Sequence, residues 1–478
     1  MRERLLVLVP LVAAMGAAVW PHERTRSWWL PAAGGLHTAV ALWLLCAPPE
    51  VSPGGWWGFD ALARAMLPVV SLLFLLCSWY AVTYLRLRQE RPNRVFVASL
   101  LAVLALVSAG HQARHLGLLW ITTEAVTLAA VPLLHFNGTP RAFEATWKYL
   151  LVGGTGIALS LLGSFCLGYA SLHGAGRGDL TFDGLTAEAA QLSRPWLLAA
   201  WVLILAGYGT KMGLAPMHTW KPDAYGEAPG VVGALLAGAV TTVAFAAILR
   251  VRAVVEAAGA GAVADRSLAV LGLFSLGVAA LMLLGTRDFK RMLAYSSVEH
   301  MGILSVGAAM GRAGLWAALF HVWANSLSKG ALFLSGGNLR RAGGGRTMDE
   351  VAGLSMVTPM SGGIFVAGLL AVTAFPPFAP FFSELRVLRA MLEEGHGLAA
   401  GVLLGGLLLA FLGLTRVTLA VWDGRPRLRS REVARRYPET PGVIWPCLVL
   451  LGLSLWLGVA TPDVLQEAWT AAVNQFHR

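Results

Sequence analysis

Residues 201–250 read WVLILAGYGTKMGLAPMHTWKPDAYGEAPGVVGALLAGAVTTVAFAAILR, which is two apolar runs separated by a polar turn. The first run carries Lys211 and meets Pro216, and the second begins at Pro229. No acidic residue lies within one helical turn of Lys211, and a charged side chain at bilayer depth costs at least about 2.5–3.5 kcal/mol. Internal water, a distant acid or loss of the proton lowers that cost, and a proton path supplies each of these. The alternative is a Lys that extends its ammonium group to the membrane surface.

The composition is that of a membrane protein. Of the 478 residues, 56% are hydrophobic and 13% are charged, whereas soluble domains carry about 25% charged residues. Apolar runs recur along the whole chain, so the sequence predicts a multi-pass protein of the lipid bilayer. The net charge of +11 lies mostly in short loops and does not predict a nucleic-acid partner. The four Cys form no CxxC pair, so no metal cluster, disulfide framework or cofactor is predicted.

The sequence predicts an all-α fold of about fourteen membrane helices. Each apolar run is long enough to cross a hydrocarbon core of about 30 Å with some tilt. In chain order, helices one to fourteen are expected at residues 4–20, 31–47, 61–85, 94–110, 116–135, 146–171, 196–217, 228–250, 267–285, 292–310, 314–338, 358–385, 398–422 and 442–460.

The distribution of Lys and Arg predicts the orientation. Loops after odd-numbered helices hold most of these residues, above all the stretch 425–436. Basic loops face the cytoplasm, so we expect an inner-membrane protein of a bacterium or archaeon with both termini outside. The stretch 425–436 has an alternative interpretation as a helix that lies along the membrane surface.

Helices seven and twelve are predicted to be interrupted, by Pro216 and by the prolines at 376, 377 and 380. Proline at bilayer depth frees carbonyl groups that need a polar cavity or a neighbouring helix. The two breaks lie five helices apart, which favours two inverted five-helix repeats, as in many transporters. We therefore divide the chain into residues 1–90 (helices one to three), 91–252 (first repeat, helices four to eight), 265–422 (second repeat, helices nine to thirteen) and 423–478 (basic loop and helix fourteen).

Polar side chains at membrane depth recur in helices five and eleven. Glu124 in helix five has no neighbouring base, so it takes up a proton or pairs with Lys211 across helices. His321, Asn325 and Lys329 lie at i, i+4 and i+8 and share one face of helix eleven. The alternatives are a structural ion pair for Glu124 and a hydrogen-bonded core His with a packing Lys in helix eleven.

Further candidates lie near helix ends. Glu384 follows the proline break of helix twelve, where it takes a proton or a cation, or pairs with Arg386 at the surface. His300 follows a basic stretch and faces the interior, while His218 lies in the turn after helix seven, as a proton entry or a solvated side chain. Two more candidates, at i and i+4, are more typical of a plain helix ion pair: Glu144 and Lys148.

Three stretches resemble a known family. GTKMGLAPMHTWKPDAYGEAPGVVGALLAG (209–238), DFKRMLAYSSVEHMGI (288–303) and FHVWANSLSKGALFLSGG (320–337) resemble signatures of the antiporter-like subunits of respiratory complex I, which are related to multisubunit cation/proton antiporters. The Glu-His pair at 299–300 and EATWKY at 144–149 are most similar to component F of hydrogenase 4.

The resemblance implies a fourteen-helix fold with inverted repeats and broken helices seven and twelve. It also implies roles, namely a proton-path pair in helices five and seven, polar-axis residues in helix eleven, and exchange with the outer side in helix twelve. In that order, the matching residues are Glu124, Lys211, His321, Lys329 and Glu384. Complex I members often carry a Lys in helix eight, where this chain has Thr242, which forms hydrogen bonds but holds no charge.

The sequence therefore predicts a membrane subunit that translocates protons or cations in a redox-driven complex. The complex would be hydrogenase-4-like or NADH-quinone oxidoreductase-like, with other membrane and peripheral subunits as partners. No nucleotide-binding loop, metalloprotease motif or nucleophile elbow is present in the sequence, so the redox chemistry is expected in those partners. The alternatives are a cation/proton antiporter subunit, the proton-conducting partner of an inorganic-carbon-uptake protein, and a structural subunit whose path is inactive at Thr242.

Overall fold

The computed structural model describes residues 2–52, 54–174, 178–343, 345, 347–425, 432 and 439–476. Each of the fourteen predicted segments contains a helix. The long helices are α1 (Leu5–Val19), α2 (Trp29–Cys46), α3 (Ala61–Arg86), α4 (Arg94–Gln112), α5 (Leu116–His135), α6 (Pro140–His173), α7 (Arg194–Met212), α8 (Gly230–Leu235, continued by Leu236–Val240 and Thr241–Val255), α9 (Gly261–Gly285), α10 (Phe289–Ala308), α11 (Gly311–Gly343), α12a (Pro359–Val372), α12b (Ala379–Glu393), α13 (Gly397–Asp423), α14 (Pro441–Val459) and α15 (Asp463–Phe476).

The protein is an all-helical, multi-pass membrane protein, as predicted. In the described part of the chain, eight helical stretches are long and apolar enough to cross a membrane, or nine if the bent pair Met348–Met356 and Pro359–Val372 forms one span. One of the eight, Gly230–Gly285, contains both α8 and α9. Of the remaining helices, some are short, such as α1 with 15 residues, and others are long but more polar, such as α11 with 33 residues. The number of fourteen membrane crossings stays a prediction.

Both predicted helix interruptions are confirmed. The helix α7 ends at Met212 because Gly213 adopts a left-handed conformation with φ 84°, which favours glycine at this position. The predicted polar turn then contains a short helix, Trp220–Glu227. The twelfth helix stops at Val372 and resumes at Ala379. At each break, helix termini lie in the interior of the protein.

A wider turn lies at the centre of α8, where the sequence gives no signal for it. Residues Leu236–Val240 are π-helical, a conformation that is frequent at functional sites. The carbonyl oxygen of Ala237 accepts a hydrogen bond from Asn325 Nδ2 at 3.3 Å, and that of Gly238 accepts one from Ser326 Oγ at 2.7 Å. These bonds join α8 to α11 in the interior.

A buried ion pair fastens α3 to α8. Arg250 donates to both carboxylate oxygens of Asp60, at 2.5 and 3.1 Å, and to the carbonyl oxygen of His111 at 2.9 Å. Asp60 also caps the first turn of α3 by accepting from the backbone N–H of Ala63 at 2.9 Å. Gln475 of α15 donates to the same carboxylate at 3.0 Å.

The helix α15 is an addition to the prediction, in which helix fourteen is the last element. The ring of Trp469 is buried, with its centroid 5.2 Å from the ring of Trp316 and 5.2 Å from the ring of Phe320. This helix packs through one face only and has 14 residues, which is too few to cross a membrane. The predicted basic stretch 425–436 lies almost wholly outside the described residues.

Candidate proton path

Lys211 lies in the last turn of α7 and is 5% exposed. Its ammonium group donates a hydrogen bond to Thr127 Oγ1 of α5, and lies 5.2 Å from the ring centroid of Tyr149 of α6. Room for the ammonium comes from Gly153, because a Cβ atom there would be 2.9 Å from Lys211 Nζ. The Lys does not extend to the surface, so its position agrees with a functional ammonium inside the protein.

Glu124 lies one turn before Thr127 on α5, close enough for an electrostatic interaction with Lys211. Within the described residues, however, the expected direct ion pair is not formed, because the Lys211 ammonium is bound to Thr127. The Glu124 Oε2 atom is buried and has no hydrogen-bond partner among the described groups. The two groups face the same interior region through Thr127.

The three polar residues of α11 are all buried and contact three different helices. Lys329 Nζ donates to Ser296 Oγ of α10 at 2.5 Å. Asn325 contacts the π-helical turn of α8 through Ala237. His321 Nδ1 lies 2.9 Å from Ser383 Oγ at the start of α12b. The polar face predicted for helix eleven is therefore an interior face shared by four helices.

His300, His321 and Glu384 form one buried cluster. His300 Nδ1 is 2.9 Å from His321 Nε2, and 3.9 Å from Glu384 Oε1. The donor atoms of the three residues lie within 4.8 Å of one another, a spacing that admits a metal ion. The two facing nitrogens are already hydrogen-bonded, so in this arrangement a proton lies between them. The cluster links α10, α11 and α12b through titratable side chains.

The surface pair considered for Glu384 is not observed. The Arg386 guanidinium lies over the rings of Trp316 and Phe320, 4.7 and 5.2 Å from their centroids. Glu384 is instead 5% exposed, and its Oε1 atom has no hydrogen-bond partner among the described residues. Within the cluster, the imidazole Nδ1 atom of His300 lies 3.9 Å from this oxygen.

Sequence reasoning missed several buried ionisable residues, and two of them lie near Lys329. Glu299 of α10 is 3% exposed and interacts electrostatically with Lys329. Lys221 of the short helix Trp220–Glu227 is fully buried. Both have polar neighbours in the sequence, and a charged residue in such a stretch is predicted to be exposed to solvent. The apolar residues at i+3 and i+4 from Glu299, Gly302 and Ile303, were the only signal that its face turns inward.

The weaker candidates separate into surface and interior groups. Glu144 and Lys148 form an exposed ion pair at 2.7 Å, and Lys148 also contacts Asp223 at 2.8 Å. His218 is 8% exposed and lies 6.3 Å, centroid to centroid, from the ring of Tyr295. The Glu144–Lys148 pair therefore has the geometry of an ordinary helix pair at the surface.

Thr242 of α8 is buried and points towards α4. Its Oγ1 donates to the carbonyl oxygen of Ala239 at 2.6 Å and lies 2.8 Å from His111 Nε2. His111 is fully buried, and its Nδ1 atom has no partner in the described part of the chain. The helix-eight position therefore holds a hydrogen-bonded hydroxyl group and no cation.

The model of one protein family, described as NADH:quinone oxidoreductase/Mrp antiporter, TM, matches residues 113–410. The chain belongs to this family. The matched region contains α5 to α12b and every buried group of the path described above. The resemblance seen in the sequence is thereby confirmed, and the protein is an antiporter-like membrane subunit.

Named relatives cover most of the chain. It is 37% identical to the hydrogenase-4 component F homolog of Methylacidiphilum infernorum over 327 residues, which is 68% of each chain. It is 32% identical to NADH-quinone oxidoreductase subunit N of Desulforudis audaxviator over 501 residues, 99% of this chain and 97% of the relative.

Two solved structures share the fold. A chain of the membrane-bound sulfane sulfur reductase, an archaeal respiratory membrane complex, superposes with a TM-score of 0.87 at 22% identity, covering 99% of this chain and 97% of that one. A chain of the Mrp complex from Dietzia superposes with a TM-score of 0.86 at 22% identity, with the same coverage. At this identity the likeness shows the fold alone.

Proposed function

We propose that this protein translocates protons as a membrane subunit of a redox-driven complex of the hydrogenase-4 or NADH-quinone oxidoreductase type. The observation that carries the proposal is the succession of buried ionisable side chains across the family fold. Charged groups at membrane depth are costly and mark ion pathways. The proposed path runs along Glu124, Lys211, Lys329, His321 and Glu384, with His300 and Asn325 beside it.

The chain itself supplies positions for protons, and the driving reaction belongs to its partners. Moving one charge against 100 mV costs about 2.3 kcal/mol, so proton transport needs a coupled exergonic reaction. The relatives are named as a component of hydrogenase 4 and a subunit of NADH-quinone oxidoreductase. These names support peripheral redox subunits as partners, and an inner-membrane location in a bacterium or archaeon.

Two further features are proposed with this function. The loops after odd-numbered helices would face the cytoplasm, which places both termini outside. Residues 91–252 and 265–422 would be inverted repeats, each with a broken helix, α7 in the first and α12a–α12b in the second. Support comes from the matching positions of the breaks, and from a glutamate in the second helix of each repeat, the half-buried Glu124 and the buried Glu299.

Loss of the Lys211 ammonium tests the function. We expect Lys211→Ala to abolish proton uptake by liposomes that contain the purified complex, because no other described cation faces Thr127 and Tyr149. Electron transfer from the donor to a soluble dye should be unchanged. The control is Arg389→Ala, since Arg389 forms an exposed pair with Glu393 at 2.7 Å and such pairs contribute little. Undiminished proton uptake in Lys211→Ala would contradict the proposal.

The partners are identified by purification of a tagged chain in mild detergent. A nickel–iron hydrogenase-like large subunit with iron–sulfur proteins, or NADH dehydrogenase subunits, supports a redox-driven complex. A single large soluble zinc protein, or small antiporter subunits alone, would contradict it and make the chain a transporter component. Dependence of the ion flux on sodium would then identify an antiporter.

A further inference from the structure

Lys221 is a buried lysine to which the path above gives no role. It is fully buried, and its Nζ atom has no hydrogen-bond partner among the residues that the structure describes. The ring centroid of Tyr225, one turn along the same helix, lies 5.7 Å from the Nζ atom. A buried ammonium without a strong partner is costly, so its burial calls for a functional explanation.

Lys221 contacts the end of α7 and interacts electrostatically with Lys329 of the second half of the proposed path. Its side chain packs against Gly213, where a Cβ atom would be 2.2 Å from Lys221 Cε and 2.7 Å from Nζ. Gly213 follows Lys211 by two residues, so this contact is at the end of the first half. On the other side, Lys329 is close enough for the two like charges to repel. His218 is the other titratable group that interacts with the Lys221 charge.

The interior around this junction is polar. Several buried side-chain atoms near it have no hydrogen-bond partner within the described residues. Buried polar groups in proteins are normally satisfied by protein groups or by internal water, so the region is suited to water-bridged proton transfer. The atoms are Tyr225 Oη, Ser297 Oγ, Glu299 Oε2 and Asn325 Oδ1.

The helix-eight position, where a Lys could connect the two halves of the proposed path, is occupied by Thr242. Its hydroxyl is bound to Ala239 and His111, and it cannot carry a proton as a cation does. A path from Lys211 to Lys329 therefore lacks an ionisable group at this position of α8, since Arg250, further along the helix, is paired with Asp60. Lys221 supplies one from the short helix between α7 and α8.

We propose that Lys221 is the proton-carrying group that connects Lys211 to Lys329. The inference rests on the proposed function, since it assigns a residue to the same path. In each step the ammonium of one Lys releases a proton to water, and the neutral amine of the next Lys takes up a proton, so the number of protons is conserved. Repulsion between Lys221 and Lys329 favours states in which only one of them is charged.

The competing explanation is a structural lysine, for which Lys290 is a natural control. Lys290 is 1% exposed, and its Nζ atom donates to the carbonyl oxygen of Ala228 at 2.5 Å. It is buried near the same helix but is held by the backbone. Removing its charge should affect assembly and leave the protons transported per electron unchanged.

The test uses Lys221→Arg, Lys221→Gln and Lys290→Gln in the purified complex, reconstituted in liposomes. Arg keeps the positive charge but does not release its proton. We expect Lys221→Arg and Lys221→Gln to lower the protons transported per electron at least ten-fold, with electron transfer to a dye within two-fold of the unmodified complex. Adding Thr242→Lys to Lys221→Gln should restore part of the transport.

A second pair of variants displaces the Lys without removing it. Gly213→Ala pushes against Lys221, whereas Gly395→Ala introduces the same unfavourable positive φ, 80° against 84°, with no atom within 4 Å of the new Cβ. We expect proton transport to fall in Gly213→Ala and to be retained in Gly395→Ala.

The outcomes separate the two proposals. If Lys211→Ala stops transport while Lys221→Arg transports protons normally, Lys221 is structural and only this inference fails. If Lys211→Ala transports protons normally, the proposed function itself fails. Equal losses of protons per electron in Lys221→Gln and Lys290→Gln would also overturn the assignment, because a buried charge at either place would then serve the same purpose.

Discussion

The Lys211 ammonium has space because the facing residue of α6 is a glycine. Gly153 of α6 would place a Cβ atom 2.9 Å from Nζ, whereas the next residue, Gly154, has nothing within 4 Å of the same atom. The two glycines share one helix and one local sequence. They allow the contact with Lys211 to be changed without altering any ionisable group.

The pair Gly153→Ala and Gly154→Ala tests this contact. Gly153→Ala should reduce proton transport because Lys211 moves away from Thr127, and it should change the free energy of unfolding little, since the Cβ atom meets only the end of a flexible side chain. Gly154→Ala should be neutral or stabilising, since Ala has the higher helix propensity by about 1 kcal/mol. The measurements are thermal unfolding in detergent and proton uptake by liposomes. Equal effects of the two substitutions would show that Lys211 does not depend on this space.

At the residue scale, the sequence predicted groups that stand alone among apolar residues. Glu124, Lys211 and His321 are conspicuous because a charge inside an apolar run has few explanations. Lys221 and Glu299 have polar neighbours in the sequence, and their burial results from the break of α7 and from the packing of α10 against α11. Such burial is a tertiary effect, which local sequence does not contain.

Among the helices, α3 and α8 are joined by a buried ion pair. Asp60 receives two hydrogen bonds from Arg250, one from Gln475 and one from its own helix. The exposed fractions of the Arg250 and Asp60 side chains are 2% and 6%. Removing one member of a buried pair leaves the other charge without compensation.

We therefore expect Asp60→Asn to lower the free energy of unfolding by about 3–5 kcal/mol, the usual effect of breaking a buried pair. Arg250→Met should have an effect of the same size. The double substitution should be less destabilising than the sum of the two, because neither charge is then left alone. Thermal unfolding of all three variants in detergent gives the coupling energy. Strict additivity would mean that the two side chains do not stabilise each other.

The positions of the membrane helices could be predicted from apolar runs and prolines. The helix α15 could not be predicted in this way. The helix α15 has an apolar face that becomes buried only when α3 and α11 are present to receive Trp469. With 14 residues, α15 is too short to be recognised as a membrane span by its hydropathy. The π-helical turn of α8 is likewise fixed by hydrogen bonds from α11 and not by its own sequence.

For the whole molecule, orientation in the membrane follows from the placement of basic residues. Orientation is set during insertion by Lys and Arg in short loops. A fusion of alkaline phosphatase to the C-terminus should be active, since this enzyme requires the disulfide bonds that form outside the cytoplasm. The same fusion made after Gly424, in the basic loop, should be inactive. An active fusion at Gly424 and an inactive one at the C-terminus would reverse the proposed orientation.

The mid-membrane contact of α8 with α11 has a mechanical consequence. Asn325 and Ser326 hold the carbonyl groups of two successive residues in the π-helical turn. Lengthwise sliding of one helix past the other would break both bonds at once, whereas a small tilt about this point would preserve them. The contact therefore resists sliding of α8 along α11 more than it resists tilting.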